Sequence, residues 1–306
     1  MNKTRIASAA FAAIVVLALL TCFCACTQAQ ELPDWAFDSL YAADASRAEG
    51  SDVRVMSVNM LVHMESWGGE PVEPRAQLAE KFFGHYAPDV VALQEMCGDW
   101  YKCLEGRLDG YAYVHDGKTK TNMIYDADRL TLVDSGYFEY DKRDSSGCRA
   151  VAWGVFLTED GQKFAVTSTH FDLGTDEKKV EYRTSQIAQL AEQVRLLAQK
   201  HGCPVIAAGD YNVLEGEDYG DGSNYDDLVA AIGGADVRYA AERVICDEEF
   251  VAEHSDNLWD HMILLGQAQP LEYRIVTEPF FRYGEELAMT DHYPVFATSR
   301  FNARES

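Results

Sequence analysis

From residue 51 onward the chain is a series of short apolar runs separated by polar turns. Residues 53–58, 89–93, 131–140, 150–157, 164–168, 204–208, 261–265, 271–277 and 293–299 are of strand length and rich in β-branched or aromatic residues, which predicts buried strands. Helical spacing is found in two longer stretches. Residues 74–86 open on Pro74, where a missing N–H costs little. Residues 178–201 place Ile187, Leu190, Val194 and Leu197 at i, i+3, i+7 and i+10, one apolar stripe that stops at Gly202 with Pro204 beyond. A shorter helix is predicted over 225–232. Strands outnumber helices and many follow one another directly, so the pattern predicts mixed or antiparallel sheets covered by helices.

The first residues have a different pattern. Lys3 and Arg5 precede an apolar run from Ile6 to Cys26 and a small, polar stretch to Gln30. Residues 1–29 read as an export signal cut after Ala29, as a lipoprotein leader with Cys22, Cys24 or Cys26 as acceptor, or as an uncleaved anchor. Residues 30–50 read as a lead-in, and 51–302 as one domain without linker or repeat. The expected location is extracytoplasmic, secreted or anchored to the outer face of a membrane. Removing the leader takes away two bases and no acids, leaving 50 acidic against 24 basic residues. Such an acidic chain does not hold nucleic acid by broad counterion release, although a local phosphate site remains open to it. At 47% hydrophobic the 306 residues have ample material for a large core. Five cysteines follow the leader, so at least one thiol is free; Cys97 and Cys103 are either a small extracellular disulfide loop or buried thiols.

Polar residues cluster at strand ends. Four predicted strands run into Asn59, Glu95, His170 and Asp210, with Asn212 two residues on, while two late strands begin at Asp260 and at Asp291–His292. If the last two run opposite to the first four, all of these residues share one rim. Four carboxylates gathered there require a cation or shared protons. Oxygen ligands without sulfur suit Mg²⁺ or Mn²⁺. Taken singly, each residue also fits a solvated loop, a turn or a structural hydrogen bond; the joint order is the signal.

The segments SVNM (57–60), LQE (93–95), STHFD (168–172), GDYN (209–212), WDHMIL (259–264) and TDHYPV (290–295) resemble those of the endonuclease/exonuclease/phosphatase superfamily, the fold of pancreatic-type deoxyribonuclease. Residues 122–136, followed by Arg149, look like its central hairpin. The resemblance implies a four-layer α/β sandwich, two mixed β-sheets packed face to face with flanking helices. It implies that Glu95 binds the divalent metal with Asp291 and Asn59. It further implies that Asp210 orients or deprotonates the attacking water and that Asn212 positions the phosphate or that Asp. His292, held by Asp260, faces the phosphoryl group; His170 donates to a phosphate oxygen or the leaving group; Arg149 contacts a non-bridging oxygen. Phosphate-ester hydrolysis asks for these types: neutralised equatorial oxygens, an aligned water and a stabilised leaving oxygen. Histidines titrating near 6.5 and an Asp210 raised by crowding with Glu95 and Asp291 are the expected protonation pattern. One departure concerns nuclease members, which place an acid before the central hairpin to buttress the first histidine. Residues 118–122 hold none here, and Asp116 is the nearby substitute.

The loop after GDYN carries Glu215, Glu217, Asp218, Asp221, Asp226 and Asp227 among Tyr211, Tyr219 and Tyr225. It reads as a solvated face with packing tyrosines, or as a cleft wall that repels polyanions and stacks a ring; its spacing is not that of an EF-hand. The expected function is an exported, metal-dependent phosphodiesterase acting on a small molecule or lipid headgroup. The alternatives are a secreted nuclease acting on DNA or RNA and a non-catalytic binding protein on the same fold.

Overall fold

The computed structural model describes residues 52–62, 71–115, 117–246, 248–253, 258–276 and 289–301. The leader, the lead-in and Asp116 lie outside the described residues. The elements in chain order are β1 (Asp52–Asn59), α1 (Val72–Tyr86), β2 (Val90–Gln94), α2 (Gly98–Leu104), β3 (Tyr111–Tyr113), β4 (Asn122–Asp126), β5 (Leu130–Glu139), β6 (Ala150–Thr158), β7 (Lys163–His170), α3 (Glu177–His201), β8 (Val205–Asp210), α4 (Tyr225–Ile232), β9 (Ala235–Asp236), α5 (Val237–Ala240), β10 (Arg243–Ile245), α6 (Glu248–Glu253), β11 (Asp260–Leu265), β12 (Gln269–Ile275) and β13 (Val295–Arg300). Every predicted strand and helix is present, with shifts of a few residues at the ends. Three- and two-residue strands (β3, β9, β10), the short helices and β4 are additional.

The strands form two mixed sheets, ordered β10-β12-β13-β1-β2-β4-β3 and β5-β6-β7-β8-β11-β9. They pack face to face over one core, to which Val53, Val55 and Val90 contribute from the first sheet and Phe164, Val166, Ile206 and Met262 from the second. The helices cover the outer faces. On the second sheet, Ile187, Leu190 and Val194 of α3 and Leu228 of α4 pack against Val205, Ala207 and Ile263. On the first, Tyr86 at the end of α1 packs against Phe296 of β13. The result is a four-layer α/β sandwich.

Local chemistry fixes the helix ends. The Asp176 side chain accepts the Lys179 N–H at the start of α3, and Gly202 closes it with a left-handed φ of 62°. α4 opens on a capping box between Asn224 and Asp227. Each buried Leu, Ile or Val of the α3 stripe contributes about 1.5–3 kcal/mol relative to exposure.

Two strand directions matter most. β11 is antiparallel to β8, with Asp260 opposite Asp210, and β13 is antiparallel to β1. β7 and β8 are parallel, with His170 beside Asp210; β1 and β2 are parallel, with Asn59 beside Gln94. The late strands therefore begin at the rim where the early ones end.

Candidate active site

Strand alternation decides which side chains enter the cleft. Phe164 and Val166 of β7, Ile206 and Ala208 of β8, and Met262 and Leu264 of β11 face the inter-sheet core. Continuing each register by steps of two points His170, Asp210 and Asp260 into the space between the sheets. Val53 and Val55 do the same for Ser57 and Asn59 of β1. All five of these polar residues are buried.

They converge on one carboxylate oxygen. Asp210 Oδ2 lies 2.9 Å from Asn59 Nδ2, 3.1 Å from His170 Nε2 and 3.8 Å from His292 Nε2. Its other oxygen accepts the Asn212 N–H at 2.9 Å. His292 Nδ1 donates to Asp260 Oδ2 at 2.7 Å, and Ser57 Oγ donates to Asp260 Oδ1 at 3.4 Å. The Trp259 ring lies 5.3 Å from that of His292. Asn212 Nδ2 donates to the Phe171 carbonyl, which leaves its second amide hydrogen for an oxyanion.

The electrostatics correct two expectations. Burial alone would raise Asp210, but the His170 and His292 charges and the bond from Asn59 hold it well below the usual carboxylate range. Crowding with acids is outweighed by donors at closer range, so Asp210 is held as an anion. His292 is likewise not near 6.5. Burial works against its charge, yet Asp210, Asp260 and the Asp260 hydrogen bond push it up to about 10. Asp260 is raised as well, to about 6, by burial against the pull of His292.

Glu95 and Asp291 stand beside this cluster. Glu95 Oε2 accepts the Val62 N–H at 2.9 Å and Oε1 lies 4.0 Å from His170 Nε2. Asp291 Oδ1 is 3.9 Å from His292 Nε2. Although its side chain is exposed at the rim, Asp291 is raised, first by desolvation and then by the Glu95 and Asp210 carboxylates, against the opposing charge of His292. A cation between Glu95 and Asp291 would relieve that repulsion. Among the described residues no three His, Cys, Asp or Glu side chains make a metal cage. Two carboxylates completed by water and substrate phosphate are the normal Mg²⁺ arrangement, so this donor set fits Mg²⁺. Asn59 is mostly committed: Oδ1 accepts the Leu61 N–H at 3.0 Å while Nδ2 holds Asp210, leaving one carbonyl lone pair for a metal. Glu95 and Asn212 both adopt left-handed backbone (φ 57° and 51°), turning the chain sharply where β2 and β8 end.

Gly209 is required by close approach. A Cβ there would lie 2.3 Å from the Thr169 carbonyl oxygen of the neighbouring strand. Gly209→Ala is expected to push β8 from β7, cost about 1–3 kcal/mol in stability and separate His170 from Asp210; thermal melts and turnover of the variant check this. Beneath the site lies a polar floor that the sequence reading missed. Gln94 Nε2 donates to Ser168 Oγ at 3.0 Å and to Ser57 Oγ at 3.4 Å, joining the two sheets under Asp260. The period of β2, which sends Val90 and Ala92 inward, was the available signal.

Arg149 Nη1 lies against His170 Nε2. His170 Nδ1 is buried and has no hydrogen-bond partner among the described residues. No side chain of 118–122 supplies one: Thr121 bonds to the Cys148 carbonyl, and Asn122 to Tyr101 and the His115 backbone. Among the described residues, then, no acid buttresses His170 Nδ1, and Asp116 lies outside them. Tyr211 and Tyr225 are buried packing residues, Tyr225 donating to Asp236, and Tyr219 stacks on Arg183, so none of the three offers a free stacking face. Asp227 caps α4 and Asp218 closes a turn onto Gly220, as expected of a solvated face. All five described cysteines are free thiols, which removes the Cys97–Cys103 disulfide; the Cys97 thiol donates to the Val62 carbonyl instead.

No family model and no curated protein matches the chain. Solved structures do. An endonuclease/exonuclease/phosphatase family protein from Bacteroides thetaiotaomicron is 19% identical, covering 83% of this chain and 99% of its own, with a TM-score of 0.67. The mannosyl-6-phosphatase Bt3783 of the same organism is 20% identical over 81% of this chain and 99% of its own, with a TM-score of 0.66. The catalytic domain of human Nocturnin is 17% identical over 82% and 94%, with a TM-score of 0.59. From the layer order, the rim geometry and these likenesses together, the chain has the endonuclease/exonuclease/phosphatase fold.

Proposed function

We propose that the protein is an exported, divalent-metal-dependent phosphoester hydrolase acting on a phosphodiester of a small molecule or a lipid headgroup. The observation that carries this reading is the convergence of Asn59, His170 and His292 on Asp210 Oδ2, with Glu95 and Asp291 alongside. The site has an anion to orient a water, cationic donors to receive phosphoryl oxygens, and two carboxylates for a metal. The fold shared with a phosphatase and with Nocturnin supports the same class.

Each residue has a task that its surroundings permit. Asp210 holds the attacking water by accepting its hydrogen bond. His292 is an imidazolium at neutral pH and donates from Nε2 to a phosphoryl oxygen, its ring fixed by Asp260. His170, Arg149 and the free amide hydrogen of Asn212 surround the remaining oxygens and the leaving oxygen. Mg²⁺ or Mn²⁺, held by Glu95 and Asp291 with Asn59 beside them, would neutralise charge on the phosphoryl group. The acidic loop and a net charge of −24 disfavour a long polyanion.

The test offers the protein an aryl phosphodiester and plasmid DNA in parallel, with Mg²⁺, Mn²⁺ or chelator. Metal-dependent cleavage of the aryl ester with intact plasmid is expected. Efficient plasmid cleavage would favour the nuclease reading. No turnover with either metal, together with binding of metal or phosphate, would favour a binding protein.

A further inference from the structure

Among the described residues Arg149 is the one arginine that touches His170, and its position is imposed by groups outside the cleft. Its Nε donates to Asp144 Oδ2 at 3.3 Å. The same Asp144 oxygen receives Lys179 Nζ at 3.2 Å, and Lys179 Nζ also pairs with Asp172 Oδ1 at 2.5 Å. Asp172, fully buried, accepts Gln186 Nε2 at 2.6 Å and the Asp144 N–H at 3.3 Å on its other oxygen. Asp144 Oδ1 accepts the Ser146 N–H at 2.9 Å, and Gln186 Nε2 reaches the Lys142 carbonyl at 2.9 Å. Lys179 and Gln186 are seven residues apart on α3 and share one face. The loop between β5 and β6 is thereby fastened to the helix behind it.

Asp172 ends the STHFD segment, two residues after His170, yet it points away from the cleft into this network. Phosphoryl oxygens are read well only by donors already in place, because ordering a long arginine on binding costs rotamer freedom. A guanidinium fixed at Nε by a carboxylate, with Nη1 on His170, holds Nη2 in place as a preorganised donor. Among the described residues His170 Nδ1 has no partner, and Arg149 contacts the ring at Nε2 beside Asp210.

We infer that Asp144 and Lys179 are positioning residues for oxyanion binding: with Asp172 they form a brace that sets the Arg149 guanidinium against His170. The inference rests on the phosphoester reading of the site and adds to it the residues outside the cleft that set its affinity for the phosphoryl group.

The test is the Kd of inorganic phosphate, measured calorimetrically in the presence of Mg²⁺ on the full chain and its variants. Arg149→Ala is expected to weaken phosphate binding about tenfold or more, the scale of one charge-assisted hydrogen bond. Asp144→Ala, Asp144→Asn and Lys179→Met are expected to weaken it in the same direction. The Arg149→Ala/Asp144→Ala double variant is expected to bind no more weakly than Arg149→Ala alone, because the brace acts only through the arginine. Mg²⁺ affinity, read in separate titrations, stays at the wild-type value in all of them, which a collapse of the fold would not allow. If Asp144→Ala does not fold, the isosteric Asp144→Asn gives the same comparison. Wild-type phosphate affinity in the Asp144 and Lys179 variants, with binding weakened in Arg149→Ala, would overturn the brace alone. Additive losses in the double variant would also overturn it. No phosphate binding by the wild-type protein would overturn the phosphoester reading and the brace with it.

Discussion

Asp210→Asn is expected to lower kcat/KM by about 10²-fold or more, the scale on which misplacing a reacting group slows a reaction. The substitution keeps size and shape, so the strand pairing with β7 and β11 survives. It removes the anion on which Asn59, His170 and His292 converge. An amide placed there presents either an N–H to three donors or a neutral oxygen that holds them weakly, and the water loses its acceptor. The loss belongs in kcat more than in KM, since the groups that bind phosphoryl oxygens remain. Steady-state kinetics on the variant check the split. The same carboxylate has a signature in stability. Its folded pKa is depressed, so its contribution is present above the ordinary Asp value and is lost as pH falls through the lowered one. Acid melts of wild type should show that loss, and Asp210→Asn should lack it.

Asp260→Asn is expected to move the alkaline limb of the pH–rate profile to lower pH by up to several units. His292 titrates near 10 because two buried carboxylates face it, and Asp260 makes the direct bond. Removing that charge lets the imidazolium pKa fall back toward 6.5. At pH 8 the variant then holds a larger fraction of neutral His292, and the donor to the phosphoryl oxygen is lost. Activity of the variant should recover partly toward pH 6. The sign for stability is that of a raised histidine: the contribution is fully present below the unfolded value near 6.5 and is lost as pH rises through about 10. Wild type should therefore lose stability across that interval, and Asp260→Asn should lose less there, since Asp210 still raises the histidine. Profiles of kcat/KM from pH 5 to 10 for both proteins decide the point.

How much of this was legible in the sequence follows from how local each signal is. The strands were readable because buried strands in a two-sheet sandwich are short, β-branched and bounded by turns. The α3 stripe was readable because its 3.6-residue period runs over about three turns of a 25-residue helix that ends on a glycine cap. The rim was readable because strand direction and a period of two together send Asn59, His170, Asp210 and Asp260 to one place. The resemblance implies the layer order that the fold has. What was not legible is non-local. The Asp144–Lys179–Asp172 brace joins a hairpin loop, a helix face and a strand end, and no spacing reveals it. Gln94 reads as an ordinary strand-end residue until the second sheet brings Ser168 against it. The protonation of Asp210 was misjudged because sequence order lists the neighbouring acids without the distances that let two histidines and an asparagine outweigh them. β3, β9 and the short helices carry too few residues for any period to appear.

The central claim is that this rim is a metal-dependent phosphoester-hydrolysing centre organised on Asp210. The most direct measurement is the rate of aryl phosphodiester hydrolysis by wild type and Asp210→Asn, side by side, with Mg²⁺ and with chelator. The account predicts turnover by wild type with Mg²⁺, none with chelator, and a loss of about 10²-fold or more in Asp210→Asn. Turnover that survives both the chelator and the substitution, or no turnover by wild type at all, would contradict it.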